Sequence, residues 1–101
     1  MPITYSLQIL DRAKQDFENI FAYLSRERPS AAAKFVLRFE ERVRSLRWLP
    51  ARYPKIRERF LGRRIYRHIL FYPYRIIYRV HFHEVFILRV VHQSQLLTEV
   101  E

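Results

Sequence analysis

The stretch from Tyr72 to His92, YPYRIIYRVHFHEVFILRVVH, constrains the fold of this chain more than any other. It is rich in Val, Ile, Tyr and Phe, which favour a pleated and half-buried surface, and it is predicted to form a hairpin with strands at 74–82 and 84–92. In the first strand an apolar set (Tyr74, Ile76, Tyr78, Val80) alternates with a largely basic set (Arg75, Ile77, Arg79, His81). In the second, Phe86, Leu88 and Val90 are predicted to share one face, and Val85, Ile87 and Arg89 the other. This period of two predicts a sheet that is covered on its apolar face and available for binding on its basic face.

The residues before the hairpin are predicted to cover the apolar face. A short strand over Ile3–Leu7 precedes a helix over 11–26, with Asp11 as its N-cap, and a second helix over 31–48, capped by Ser30 and ended by Pro50. A further strand is predicted over Arg64–Phe71. The order β-α-α-β-β-β indicates the α+β class, with an N-terminal helix hairpin packed on one face of a mainly antiparallel sheet. At 101 residues the chain is expected to be one domain, 1–101.

Composition and charge exclude several classes of function. The chain has no Cys, which excludes disulfides and thiolate metal sites, and no apolar run of the roughly 18 residues that a membrane span needs. We therefore expect a cytoplasmic protein that needs no cofactor and binds no metal. The net charge is +9, and residues 50–92 contain ten Lys or Arg against two Asp or Glu. Such a localised positive field favours an acidic protein or a nucleic acid as partner.

Three segments together resemble the RelE/ParE toxin superfamily of bacterial type II toxin–antitoxin systems, which includes plasmid stabilisation systems. They are A-x-x-D-F-E-N-I-x-x-Y-L at 13–24, Y-R-I-I-Y-R-V at 74–80 and I-L-R-V-V-H at 87–92. The resemblance covers nearly the whole chain and is most specific in the last two segments. It implies a toxin that is neutralised by the C-terminal segment of an antitoxin. RelE-like members cut messenger RNA on the ribosome, whereas ParE-like members poison DNA gyrase without known catalytic residues.

The C-terminal tail distinguishes the two branches. Cleavage of RNA needs an acid, a base and cations for the phosphorane charge. RelE-like members place an arginine and then a tyrosine after the last strand, but the tail QSQLLTEVE has Ser94 and Val100 at those positions and contains no Lys, Arg, His or Tyr. A nuclease built on this chain would have to use Arg64, Arg75, Arg89 and His92. We therefore predict a non-enzymatic ParE-like inhibitor of DNA gyrase, with a ribosome-dependent nuclease and a non-toxic binding module as alternatives.

Two sets of residues are predicted to bind partners. The target is expected to contact the cations of the central segment and the sheet, which are Arg57, Arg59, Arg63, Arg64, Arg67, Arg75 and Arg79. Direct binding of nucleic acid by these arginines would be secondary. An acidic antitoxin segment is expected in a groove along the helix hairpin, at Phe17, Phe21, Phe35 and Phe39. Some of these phenylalanines must belong to the core, and the sequence does not decide which.

Overall fold

The computed structural model describes residues 3–56 and 64–95. The elements are β1 (Ser6–Ile9), α1 (Asp11–Glu27), α2 (Pro29–Ser45), a 3-10 turn (Pro50–Arg52), β2 (Arg67–Phe71), β3 (Tyr74–His81) and β4 (Glu84–His92). Two helices pack on a four-stranded sheet with the strand order β1-β4-β3-β2. The predicted α+β fold and element order are confirmed. No helix within the described ranges combines the length and the apolar character that crossing a membrane requires.

A single residue, Arg28, joins the two helices. Its backbone is not helical, as expected for a residue before proline, and its N–H donates to the Leu24 carbonyl while its own carbonyl accepts from Ala31 and Ala32. Pro29 is the first residue of α2, where its missing N–H has no helical partner to lose. The predicted caps are therefore wrong. Neither helix has a side-chain cap, and the two N-cap positions are held by Leu10 and Arg28.

The ends of other elements also differ from the prediction. Helix α2 ends at Ser45 rather than at Trp48, and the Ser45 hydroxyl donates to the carbonyl of Arg42 at 2.6 Å. The first strand is Ser6–Ile9 rather than Ile3–Leu7, because its position is set by parallel pairing of Ser6 with Glu84 and of Ile9 with Ile87. Strand β2 begins at Arg67, three residues after the predicted start.

Strand β4 contains a bulge that changes which side chains share a face. Ile77 pairs with Arg89 but Tyr78 pairs with Ile87, so Leu88 is the extra residue. Val90 therefore lies on the helix side with Val85 and Ile87, and not with Phe86 and Leu88 as predicted. A period of two fails at a bulge, and the sequence of β4 does not reveal where it lies.

Apolar side chains cover both faces of the sheet. On the helix side Phe17, Phe35 and Phe39 stack with ring centroids 4.7–6.4 Å apart, and Phe35 also stacks on Phe71. Burial of each phenylalanine contributes about 2 kcal/mol. The opposite face holds a second cluster, comprising Tyr66, Ile77, Leu88 and Val91 with Leu10, Ile56 and Phe86 packed against it. The face predicted to be basic and open is thus only partly so.

The segment before β2 closes the outer edge of that strand. Pro54 accepts a hydrogen bond from the amide of His68, Ile56 donates its amide to Tyr66, and Lys55 bridges to Arg67. At the other end of β2 the Leu70 carbonyl accepts from the Arg42 guanidinium. An added strand would therefore find few free groups on this edge.

Candidate functional site

Arg89 forms an ion pair that closes the other edge of the sheet. Strand β1 covers β4 only as far as Ile87, and beyond it the Asp16 carboxylate of α1 occupies the place of a neighbouring strand. Its oxygens accept from Arg89 Nε at 2.7 Å, from Arg89 Nη2 at 3.2 Å and from the amide of Val90 at 3.0 Å. Arg89 is 9% exposed. Its guanidinium therefore serves the fold in this state and is not presented to a phosphate.

Arg75 links three parts of the opposite face. One guanidinium nitrogen lies 3.2 Å from His68 Nδ1 on β2, and another donates to the Gln95 carbonyl at 2.7 Å. A guanidinium can only donate, so His68 Nδ1 accepts and the proton of this imidazole is on Nε2. Arg75 is 5% exposed. It fixes the chain after β4 against β2 and β3, and a ligand could reach it only by displacing those contacts.

His92 lies on the helix side of the sheet, away from Arg75. It pairs with Tyr74 across the strands, and the two rings meet edge to face with centroids 6.1 Å apart. Its Nδ1 accepts the amide of Ser94 at 3.2 Å and lies 2.7 Å from the Ser94 hydroxyl. His92 and Arg89 line one small pocket, but Arg89 is paired with Asp16 there. Arg75 lies on the opposite face of the sheet from His92, and Arg64 lines a different cleft, so the four nuclease candidates do not converge on one point.

A pocket of about 300 Å³ opens between the helix hairpin and the start of β3. We call it the aromatic pocket, and its lining residues are Tyr23, Leu24, Arg28, Ala31, Lys34, Phe35, Arg38, Phe71, Tyr72, Pro73, Tyr74 and His92. Three of them are cations, and no carboxylate is among the described residues that line it. Burial, reinforced by Tyr23, raises the pKa of the Tyr74 phenol against the opposing effect of Arg28. The pocket thus combines apolar walls, a neutral phenol and a positive rim.

The four predicted antitoxin residues are in different environments. Phe35 is buried and contributes one wall of the aromatic pocket, whereas Phe39 is buried in the core and Phe17 is half-buried against it. Phe21 is 40% exposed and its ring is parallel to that of Phe17 at 6.4 Å. Among the four, only Phe21 presents a ring to solvent.

The predicted target-binding arginines are also in different environments. Arg64 and Arg79 come together in a cleft with Ile65, Val80 and His81, which we call the basic cleft. Arg79 also stacks over the Phe86 ring at 4.6 Å, and Arg67 donates to the Tyr53 carbonyl at 2.7 Å. Arg57, Arg59 and Arg63 lie outside the described residues.

Sequence reasoning missed the role of Asp16 and of the aromatic pocket. A signal for Asp16 was present, because it sits between Ala13 and Phe17 on the half of α1 that contacts the rest of the protein. No equivalent signal marked the pocket, which is assembled from the helix hairpin, the β2–β3 hairpin and the end of β4, three parts of the chain that are distant in sequence. In the described part of the chain, His, Asp and Glu side chains form no group of three that could hold a metal ion.

Comparisons with known proteins identify the relatives of this fold. The family model described as "ParE toxin of type II toxin-antitoxin system, parDE" matches residues 7–97. Among solved structures, the chromosomal ParDE toxin–antitoxin system of P. aeruginosa is similar with a TM-score of 0.71 and 23% identity, over 88% of this chain and 96% of that one. The RelBE2 toxin–antitoxin complex of Mycobacterium tuberculosis is similar with a TM-score of 0.60 and 25% identity, over 92% and 95%. No curated protein sequence matches the chain.

Proposed function

Because the chain belongs to the ParE toxin family of type II toxin–antitoxin systems, we propose that it arrests growth by binding DNA gyrase. It acts by protein–protein contact and carries out no catalysis of its own. It stabilises the complex of gyrase with cleaved DNA and so blocks replication. A cognate antitoxin with an acidic segment neutralises it.

The dispersion of the nuclease candidates is the observation that carries this proposal. General acid–base cleavage of RNA needs its groups within hydrogen-bond reach of one phosphate. Here Arg75 is buried against His68 on one face, whereas His92 lies beside Tyr74 on the other. The Arg89 guanidinium is held by a carboxylate in a mostly buried ion pair. A nuclease would have to dismantle these contacts, whereas a toxin that acts by contact needs only its surface.

The aromatic pocket supports an acidic antitoxin as the neutralising partner. Arg28, Lys34 and Arg38 give its rim a positive charge, and its volume is large enough to hold an apolar side chain. An amphipathic segment with flanking carboxylates matches both features. The two solved structures named above are a ParDE toxin–antitoxin system and a RelBE2 toxin–antitoxin complex, which supports such a partner.

The test compares two targets in parallel with the purified full chain. Gyrase, relaxed plasmid and ATP report supercoiling and trapped cleavage complexes, and ribosomes with messenger RNA report cleavage. We expect loss of supercoiling and accumulation of cleaved plasmid, with the messenger intact. Addition of the cognate antitoxin in equimolar amount provides the control, because it should restore supercoiling.

Three results would contradict the proposal in different ways. Cleaved messenger with unaffected gyrase would establish the RelE-like alternative and require Arg75 or His92 to rearrange on the ribosome. No effect on either target, with growth arrest on expression, would place the target elsewhere. No growth arrest at all would favour a binding module that has kept the fold without the toxicity.

A further inference from the structure

Leu49 and Phe82 combine an unfavourable backbone with an exposed apolar side chain. They are the two residues other than glycine that have a positive φ in the described ranges, 49° for Leu49 and 54° for Phe82. Bulky residues rarely adopt this conformation, because Cβ crowds the neighbouring carbonyl. Yet Leu49 is 71% exposed and Phe82 is 83% exposed, so burial does not compensate for the strain.

Phe82 lies at a position in a hairpin turn where glycine would be expected. His81 pairs with Glu84, so Phe82 and His83 form a two-residue hairpin turn. When the first residue of such a turn has a positive φ, glycine is favoured there. The Phe82 ring contacts that of His81 at 4.5 Å but points into solvent. The turn requires the positive φ but not a phenylalanine, and a bulky residue kept in such a conformation points to a functional surface.

The two strained residues lie at the same end of the molecule. Tyr5 connects them, because its amide donates to the Arg47 carbonyl at 2.9 Å, two residues before Leu49, and its ring lies 5.9 Å from that of His83. On the other side of Phe82 the basic cleft begins at His81, with Arg64 and Arg79 in its lining. At this end of the molecule, therefore, two exposed apolar side chains lie near a basic cleft.

We infer that this end surface, formed by Leu49, Phe82, Arg64, Arg79 and His81, is the contact surface for the toxin's protein target. It fits a protein surface that has an apolar recess for the Phe82 ring and acidic residues beside it. This inference rests on the proposed action through protein contact. The aromatic pocket, which we propose for the antitoxin, lies at the opposite end of β3 beside Tyr74. Target and antitoxin therefore have separate primary sites.

Charge and chemistry together select a protein as the occupant. No described residue that lines the basic cleft is acidic, and residues 50–92 carry ten Lys or Arg against two Asp or Glu, so an acidic partner is favoured. A single strand of nucleic acid would use the cations and stack on aromatic rings, and an exposed leucine adds nothing to that stacking. Exposed aromatic anchors with charged neighbours are typical of the centre of a protein interface.

The experiment replaces each strained side chain with one that tolerates the same backbone. Phe82→Asn and Leu49→Asn keep a positive φ accessible, so the melting temperature should stay unchanged or rise. Binding to purified gyrase should fall at least about 30-fold for Phe82→Asn, as for an interface anchor. Growth arrest should be lost, while the affinity for the cognate antitoxin should remain that of the unchanged chain. Leu37→Gln is the matched control, because Leu37 is an exposed apolar residue on α2 with a helical backbone.

Several outcomes would overturn the inference. Growth arrest by Phe82→Asn and Leu49→Asn at the level of the unchanged chain would show that the end surface has no part in toxicity, whatever the target. Equal loss of toxicity in Leu37→Gln would show that exposed apolar area matters but not this surface. Weaker binding to a DNA or RNA oligonucleotide, with gyrase binding intact, would make the partner a nucleic acid. If the unchanged chain arrests growth without affecting gyrase, the proposed target is wrong, and the growth assay still tests the end surface.

Discussion

Replacement of Asp16 by alanine should destabilise the protein more than any other change to a single acidic residue that the structure describes. The carboxylate accepts three hydrogen bonds, two from Arg89 and one from the amide of Val90. The side chains of Asp16 and Arg89 are 15% and 11% exposed, so water can replace only part of the lost contacts. Removal of one partner from a buried pair costs about 3–5 kcal/mol, since a buried charge is left unpaired.

Urea unfolding followed by circular dichroism measures this loss. In thermal unfolding of a domain of this size, the Tm should fall by at least about 12 °C, at roughly 4 °C or more per kcal/mol. The pair Asp16→Ala and Arg89→Met should recover about 1–2 kcal/mol relative to Asp16→Ala alone, because the unpaired guanidinium is gone while the amide of Val90 still lacks its acceptor. Glu18→Ala is the control, since Glu18 is exposed on the same helix and its loss should change stability by less than about 0.5 kcal/mol.

Two results would refute this reasoning. A loss below about 1 kcal/mol in Asp16→Ala would mean that the ion pair behaves as a solvent-exposed one. A double variant no more stable than Asp16→Ala would mean that the cost comes from the backbone amide and not from the buried charge.

Three further predictions test the core and the antitoxin site. Burial holds the pKa of Tyr78 well above its usual value, so the native state keeps this proton when the unfolded chain loses it, and stability should fall as the pH rises above about 10. Tyr78→Phe should cost about 1 kcal/mol at pH 7 through the lost hydrogen bond to the Pro50 carbonyl and should flatten that alkaline decline, as read from urea unfolding at several pH values. Phe39→Ala should lose about 3–5 kcal/mol in the same assay, because it opens a cavity in the aromatic core. Lys34→Glu should weaken antitoxin binding about tenfold more than Lys14→Glu in calorimetry at low salt, with the difference shrinking as salt is added.

The elements that local pattern defines were predicted well. Strand β4 matches its predicted range, and β3 and α1 each differ by one residue, because alternation and helical spacing are properties of neighbouring residues. Features set by distant partners were not predicted. The position of β1 depends on its pairing with β4, and the bulge at Leu88 depends on how β3 and β4 fit over the helices. A sequence read without those contacts has no means of placing either.

For the candidate sites, too, the sequence indicated residue types but not the contacts and burial that the fold gives them. Arginine counts indicated a basic central region but not the burial of its members, since Arg75 is enclosed between His68 and Gln95 whereas Arg79 borders a cleft. Phenylalanine at helical spacing did not distinguish Phe39 in the core from Phe21 at the surface. The positive φ of Leu49 and Phe82 could not be predicted, because neither residue type favours it.

The parallel pairing of β1 with β4 has a consequence for how the toxin is made. Ser6 pairs with Glu84, so the first strand of the sheet has no neighbour until the last strand has left the ribosome. Chains dominated by such non-local pairings fold slowly, and the helix hairpin, whose contacts are local, can form earlier. The ion pair between Asp16 and Arg89 likewise waits for β4. The complete sheet, and with it the aromatic pocket that His92 helps to line, therefore forms only after β4 has been made.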